Sequence, residues 1–265
     1  GKILDKRPIP VYSISTNGDK YSTLNFSRLE KYRPGYGYNN IKDNQLKNHA
    51  PINDGIYVGN LFSSDIELKI SLDEISKIES SDSMINSFHY VNHISFSPND
   101  KNILFFHFWE DQHNTQHRRV MLLTNGSAKE IISKDYFPSH VCWVNDTKII
   151  ITLAWGPKGA GYYKYDFNTK QLSKIDFIST FEDGHPSFLI NKNAFITDTV
   201  PDKYLDRKLL IYNLKEKTKK ELLKKYSPPR LKGSFRCDFH PRVGETLISI
   251  DSAHNGYRGI YLAKY

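Results

Sequence analysis

Cysteine is almost missing from this chain. The two present in 265 residues, Cys142 and Cys237, cannot build a disulfide framework, so they read as free thiols or as ligands. Long apolar runs are missing too. Nothing approaches the ~18 residues that a membrane span requires. The opening "GKILDKRPIP" has no signal-peptide core, which leaves the compartment unread with the cytoplasm favoured. No initiator Met is present, so the start is open to truncation. Runs of Ala, Leu and Glu are absent, which argues against long helices. What is plentiful is Tyr (17), Phe (15), Gly (15) and Pro (12), a mix that favours strands and turns. The length fits one all-β domain over residues 1–265. The formal net charge is +8, and a basic surface attracts polyanions. The densest basic run, "KEKTKKELLKK", also holds two Glu and reads as a solvated strand–turn edge. No RNA motif is present, and basic–aromatic interleaving is confined to "GYYKYDF", so no nucleic-acid partner is expected.

An internal repeat organises the rest. "NHISFSPNDKNILFF", "SHVCWVNDTKIIITL", "GHPSFLINKNAFITD" and "FHPRVGETLISID" each place a His before a short strand, a polar turn and an apolar strand. The histidines are His93, His140, His185 and His240, separated by 47, 45 and 55 residues. Such a period is that of four-stranded propeller blades. Third strands follow in "RRVMLLTN", "GYYKYDFN", "KLLIYNLK" and "RGIYLAKY", and fourth strands in "AKEIIS", "QLSKIDF" and "KKELLKK". The turns between them suit hairpins. A more divergent unit, "VYSISTNGDKYSTLNF", "GIYVGNL" and "IELKIS", precedes them and is split by the insertion "SRLEKYRPGYGYNNIKDNQLKNHAPIND". The last unit lacks a fourth strand. About five blade-like units are therefore expected in a single β-propeller, with the missing strand supplied from the N-terminal end.

The first strand of each propeller blade lines the central channel, so the four histidines are expected as a partial ring at one mouth. A purely structural repeat tends to keep its neighbours, whereas Ile, Val, Pro and Pro follow these four. In "RCDFHPR", Cys237 lies three residues before His240. Cys and His suit zinc or a related transition metal, and His185, in the other His-Pro segment, is the natural third ligand. Manganese and calcium are the alternatives. The competing reading of Cys237 is a buried, inert thiol. His254 in "DSAHNG" is a candidate for a remaining coordination position or for substrate binding.

Taken together, "RPGYGY", "NHISFSPNDKNILFFHFW", "DGHPSF", "RCDFHPR" and "DSAHNGYRGIY" resemble the propeller polysaccharide lyases, namely the oligogalacturonate lyases and the ulvan lyases. Members typically have seven blades, so the resemblance implies a shortened or an incomplete member. It also implies β-elimination on a uronic-acid polymer. A base removes the proton next to the carboxylate, and a cation, an Arg or a metal, stabilises the enolate that develops. Carried onto this sequence, the metal histidines are His185 and His240 with Cys237 beside them. Arg242 stands where oligogalacturonate lyases have a further His, and is expected to contact substrate. His140 matches the base of that branch. The ulvan-lyase branch implies His93, His107 and Tyr162 or Tyr163. A neutralising Arg fits Arg118 or Arg119. The implied partner is an acidic polysaccharide or oligosaccharide. Plainer readings stand beside these: His107 packing on Trp109, Tyr163 and Tyr165 on an ordinary strand face, and a non-catalytic propeller that binds an anionic glycan or a protein.

Overall fold

The computed structural model describes residues 9–179 and 183–264. The fold is all-β, a β-propeller made of five antiparallel blade sheets. The chain divides into two compact units, Gly1–Phe137 and Pro138–Tyr265.

The first unit holds two blades. Strands β1 (Ser13–Ile14), β2 (Lys20–Thr23), β3 (Gly55–Asn60) and β4 (Ile66–Ser71) pair in chain order. So do β5 (Phe88–Phe96), β6 (Asn102–Glu110), β7 (Gln116–Thr124) and β8 (Ser127–Ile132). The insertion between β2 and β3 contains a helix, α1 (Phe26–Tyr32), capped by the Asn25 side chain on the amide of Arg28. Buried Arg28 pins this insertion down. Its Nε pairs with Asp54 at 3.0 Å, and its other nitrogens donate to the carbonyls of His89, Gln45 and Asn48. Between β4 and β5, α2 (Leu72–Lys77) starts on a reciprocal Ser71–Glu74 capping box.

The second unit holds three blades. They are β9 (Pro138–Asn145), β10 (Lys148–Leu153), β11 (Gly161–Asp166) and β12 (Gln171–Lys174), then β13 (Ser187–Leu189), β14 (Ala194–Asp198), β15 (Asp206–Asn213) and β16 (Thr218–Tyr226), then β17 (Arg242–Val243), β18 (Leu247–Ser252) and β19 (Gly259–Lys264). The last sheet has three strands, as its sequence implies. The first strands are neighbours, since β13 lies against both β9 and β17. The basic run "KEKTKKELLKK" leads into and forms most of the exposed outer strand β16. The packed core sits between blades: Ile150, Tyr162, Phe195 and Leu210 form one cluster, and Ile196, Leu209, Phe239 and Ile248 another. Among the described residues no helix is long and apolar enough to cross a membrane.

Blade alternation sends the polar residues of the second blade to opposite faces. The cross-strand row Tyr90–Phe108–Arg118 lies on one face, and the rows Val91–His107–Arg119 and His89–Trp109–His117 on the other. On the second face a buried relay forms. Arg119 Nε donates to His107 Nδ1 at 3.0 Å. This puts the hydrogen of His107 on Nε2, which meets His89 Nδ1 at 2.8 Å, and His89 Nε2 reaches the Met84 carbonyl at 3.1 Å. Arg119 also binds Glu130 and the Ile75 and Glu79 carbonyls. Burial pushes His89 down to about 4 and His107 well below the usual histidine range, so both imidazoles are neutral.

A pH dependence follows. The unfolded chain binds these protons near the ordinary pKa of ~6.5, well above the folded value. Stability is therefore complete above that range and is lost as pH falls from about 6.5 toward 4. For His89 alone the loss is at most about 3 kcal/mol. Urea unfolding of the wild type should show this slope between pH 6.5 and 4.5, and His89→Gln should flatten it. Parallel profiles for the two proteins would remove His89 as the cause.

Candidate histidine cluster of the second unit

A residue turned out of a β-ladder leaves a backbone N–H that still needs an acceptor. Each repeated histidine meets this problem and solves it with a side chain. His93 sits in a bulge of β5 with φ 51°, and its amide donates to Tyr12 Oη at 2.9 Å. His140 lies at a register break between β9 and β10, and its amide donates to Thr152 Oγ1 at 2.8 Å. His185 and His240 precede β13 and β17. Their amides donate to the two oxygens of Asp198, at 2.7 and 3.2 Å. His240 is held at φ 40°, a left-handed conformation that a non-glycine residue adopts at a cost. Gly184 lets its segment approach β14, because a Cβ there would meet the Asp198 carbonyl oxygen at 1.9 Å.

In the second unit three of the four histidines come together. The ring centroids of His140 and His185 are 4.0 Å apart, and those of His185 and His240 are 3.9 Å apart. Each Nδ1 is held. Asp183 takes His140 at 3.0 Å, Asp198 takes His185 at 2.9 and 3.1 Å, and the Asp238 carbonyl takes His240 at 3.3 Å. Asp183 is itself fixed by the Ser139 and Thr152 hydroxyls. Burial lowers the pKa of His140 despite the hydrogen bond to Asp183. Burial and the neighbouring His185 push His240 down to about 4. Burial alone would raise Asp198. The His185 hydrogen bonds and the Arg207 charge outweigh it, and the carboxyl stands at about 2.

Three potential ligand atoms converge, from His185, Asp238 and His240, all within 4.8 Å of one another. Cys237 is not one of them. Its thiol is buried, and burial raises its pKa. Asp238 takes the place expected of its neighbour. Its oxygens already bind Arg207 Nη2 at 2.6 Å and Arg236 Nε at 2.7 Å. The donor set still fits a divalent ion: two imidazoles whose Nδ1 atoms are anchored, as metal-binding histidines usually are, and one carboxylate. Arg242 pairs with Asp251 at 3.1 Å, and the same carboxylate lies 4.0 Å from His240 Nδ1. His254 is held by Ser252 and packs on Tyr261, outside the donor set.

The other expected residues lie elsewhere. His107 and Arg119 are fully buried in the relay of the second blade, with their polar atoms committed to protein groups. A substrate carboxylate has no access to them. Tyr162 is 2% exposed, and its hydroxyl meets Thr197 Oγ1 at 2.9 Å within the core. The Tyr163 hydroxyl closes the turn of "GPKGAGYY" by donating to the Gly159 carbonyl. His93 belongs to the first unit. The residues that sequence reasoning overlooks are Asp183, Asp198, Asp238, Thr152 and Arg207. For Thr152, Asp198 and Arg207 the one visible signal is polarity inside otherwise apolar strands, as in "AFITDTV", whereas Asp183 and Asp238 lie in the segments before β13 and β17.

No family model matches this sequence, and no curated protein does either. Solved structures do match in fold. Oligogalacturonate lyase in complex with manganese aligns with a TM-score of 0.64 and 13% identity over 95% of this chain, which spans 63% of that protein. An acylaminoacyl peptidase aligns at TM-score 0.56, 11% identity and 94% of this chain, but 36% of its own length. A structure from a study of two prolyl endopeptidases gives TM-score 0.53, 10% identity, 96% of this chain and 33% of its own. At these identities the likeness is one of propeller fold.

Asp198→Ala removes the acceptor of two part-buried amides and the anchor of His185 together. It should cost about 3–5 kcal/mol of stability, as breaking a buried charged network does. Chemical denaturation checks this, and a loss below about 1 kcal/mol would mean that the loops carry the histidines without Asp198.

Proposed function

We propose that the chain is a polysaccharide lyase acting by β-elimination on a uronic-acid-containing polysaccharide or oligosaccharide, at the histidine cluster of the second unit. The observation that carries this reading is the close grouping of the tilted His140, His185 and His240 rings, with Nδ1 of the first two on carboxylates. A hydrogen on Nδ1 of His140, assigned from this network, leaves the lone pair on Nε2. Burial keeps the ring neutral, so it is a base at neutral pH. His140 takes the proton next to the sugar carboxylate. The pair of electrons from that C–H bond becomes the new C=C bond. The glycosidic C–O bond breaks with its electrons on oxygen, which is then protonated. Arg242, 59% exposed at its side chain, is the residue of this cluster that faces an anionic substrate. His185, His240 and Asp238 would hold a divalent ion, zinc first and manganese or calcium as alternatives. Such an ion supplies positive charge for the substrate carboxylate and its enolate. The manganese of the oligogalacturonate lyase complex is consistent with such a site.

A second reading, a non-catalytic propeller that binds an anionic glycan or a protein partner around a structural metal, is favoured by one observation. Both Asp238 oxygens are already paired with arginines. Ultraviolet absorbance of unsaturated uronides, measured on pectin, ulvan and glycosaminoglycan fragments, separates the two. His140→Ala should lower turnover on the order of 10²–10⁴-fold with the fold intact. Full activity in that variant removes His140 as base, and silence of the wild type on the whole panel leaves the binder.

Elemental analysis of protein purified without added metal tests the donors. Metal should be lost in His240→Ala and reduced in Asp238→Asn, with Cys237→Ser equal to wild type. Loss confined to Cys237→Ser would restore the thiol as ligand.

A further inference from the structure

Asn followed by Gly occurs three times in the chain, at Asn17-Gly18, Asn125-Gly126 and Asn255-Gly256, and the proposed elimination uses none of them. Such a pair is chemically labile. The backbone nitrogen of the glycine can attack the side-chain carbonyl carbon of the Asn, since no Cβ crowds the approach. That nitrogen loses its hydrogen as the new C–N bond forms, ammonia leaves, and a five-membered succinimide results. Water then opens the ring at either carbonyl and gives aspartate or isoaspartate. Solvent supplies the one water consumed, and no oxidant or cofactor takes part. The glycine amide has to be free to turn toward the side chain. An amide held in a hydrogen bond must first open locally.

The three pairs are held differently. The Gly18 amide donates to the Ser15 carbonyl at 3.0 Å, and the Thr16 and Asn17 amides donate to the Asp100 carboxylate at 2.6 and 2.9 Å. The Gly256 amide donates to the Ala253 carbonyl at 2.9 Å, its carbonyl accepts from Arg230 Nη2, and Asn255 Nδ2 donates to Tyr261 Oη at 3.3 Å. Both of these glycines are half-buried. Asn125 and Gly126 instead form the two-residue turn between β7 and β8, closed by the Thr124–Ser127 pair, with φ 50° and 78°. Positive φ at both positions marks a type I′ turn, whose second central amide has no place in the ladder. Among the described residues neither the Gly126 amide nor the Asn125 side chain has a hydrogen-bond partner. Asn125, Gly126 and Ser127 are all exposed, and a Cβ at Gly126 would meet nothing within 4 Å.

We infer that Asn125 is a site of spontaneous deamidation in the folded protein, and that Asn17 and Asn255 are protected by the hydrogen bonds of their glycines. The aspartyl product fits the turn, because Asp-Gly serves a type I′ hairpin as Asn-Gly does. The isoaspartyl product adds a methylene to the main chain and so lengthens the turn inside the Thr124–Ser127 pair. Either product places a carboxylate in the groove of the first unit that Asn125 lines together with Lys20, Lys69 and Lys101. A neutral hairpin tip thereby becomes an anionic one.

Peptide mapping by mass spectrometry tests this on the wild-type chain incubated at mildly alkaline pH, once folded and once in concentrated guanidinium chloride. Circular dichroism taken throughout keeps the first sample to folded chain. In denaturant the three pairs should convert at comparable rates, since each is Asn-Gly and none keeps its hydrogen bonds. In the folded chain Asn125 should convert about five-fold or more faster than Asn17 or Asn255, the factor that one hydrogen bond broken per opening implies. Comparison with Asn125→Asp identifies the aspartyl product, and enzymatic methylation of isoaspartate identifies the other. Equal rates at the three pairs in the folded chain, a faster rate at Asn17 or Asn255, or an unconverted Asn125 once the denatured sample has reacted would each overturn the assignment.

Discussion

The buried carboxylate of Asp198 is the constraint on which the second unit's histidine cluster depends. One side chain accepts the amides of His185 and His240 and also Nδ1 of His185. Two segments from successive blades are thereby tied to one atom group at the end of β14. A charge with 0% side-chain exposure is costly unless it is fully hydrogen-bonded. Here the cost is offset by the two amides, the imidazole and the guanidinium of Arg207, 3.9 Å away. The arrangement also explains why His240 keeps φ 40°, since release into an ordinary extended conformation would turn its amide away from Asp198. Strain at the ring position and burial of the acid are two sides of one contact.

The same repeat position is solved differently in each blade, and that difference separates roles. Thr152, a neutral hydroxyl, accepts the His140 amide, and the nearby Asp183 comes from the following blade's approach segment. Tyr12 serves His93 in the first unit. The other histidines of the second blade's inner strands, His89 on β5 and His107 on β6, behave otherwise. His89 and His107 sit in a closed relay from Arg119 to a carbonyl, where every ring nitrogen is used. Repeat position, and not residue type, therefore distinguishes an imidazole offered to a ligand from one that glues a sheet to its covering loops.

Much of this is legible in the sequence. The His-strand-turn-strand period places the blades, the split first unit and the three-stranded last sheet, because strand alternation and turn chemistry are local signals. The grouping of His140, His185 and His240 follows from equivalence of position. The acids do not. Asp183 and Asp198 act on residues 43 and 42 positions away, on His140 and His240, and no local pattern marks such a partner. Cys237 stands out as a rare residue with a ligand-like spacing, but in an extended approach segment adjacent residues face opposite ways, and it is Asp238 whose oxygens reach the histidines. At Arg119 the sequence suggests a substrate-facing cation. Its row on the sheet faces α2, whose Ile75 carbonyl it caps, and a 3.6-residue or two-residue period cannot say which face a loop will cover.

Charge decides how the cluster can meet an acidic ligand. The chain is basic overall, at +8, yet the groups that touch the three imidazoles or their partners are Asp183, Asp198, Asp238 and Asp251 against Arg207, Arg236 and Arg242. Leaving the imidazoles out of the count, four carboxylates face three guanidiniums, so the fixed charges here are slightly acidic. Long-range attraction of a polyanion by the basic surface falls off within the ~8–10 Å of a Debye length, and at the imidazoles the local balance governs instead. A uronate carboxylate brought there meets net negative charge, whereas a divalent cation among His185, Asp238 and His240 reverses the sign. The donor set and an acidic substrate are thus compatible only together with a cation, which is why metal occupancy and substrate charge have to be varied jointly in any assay of this site.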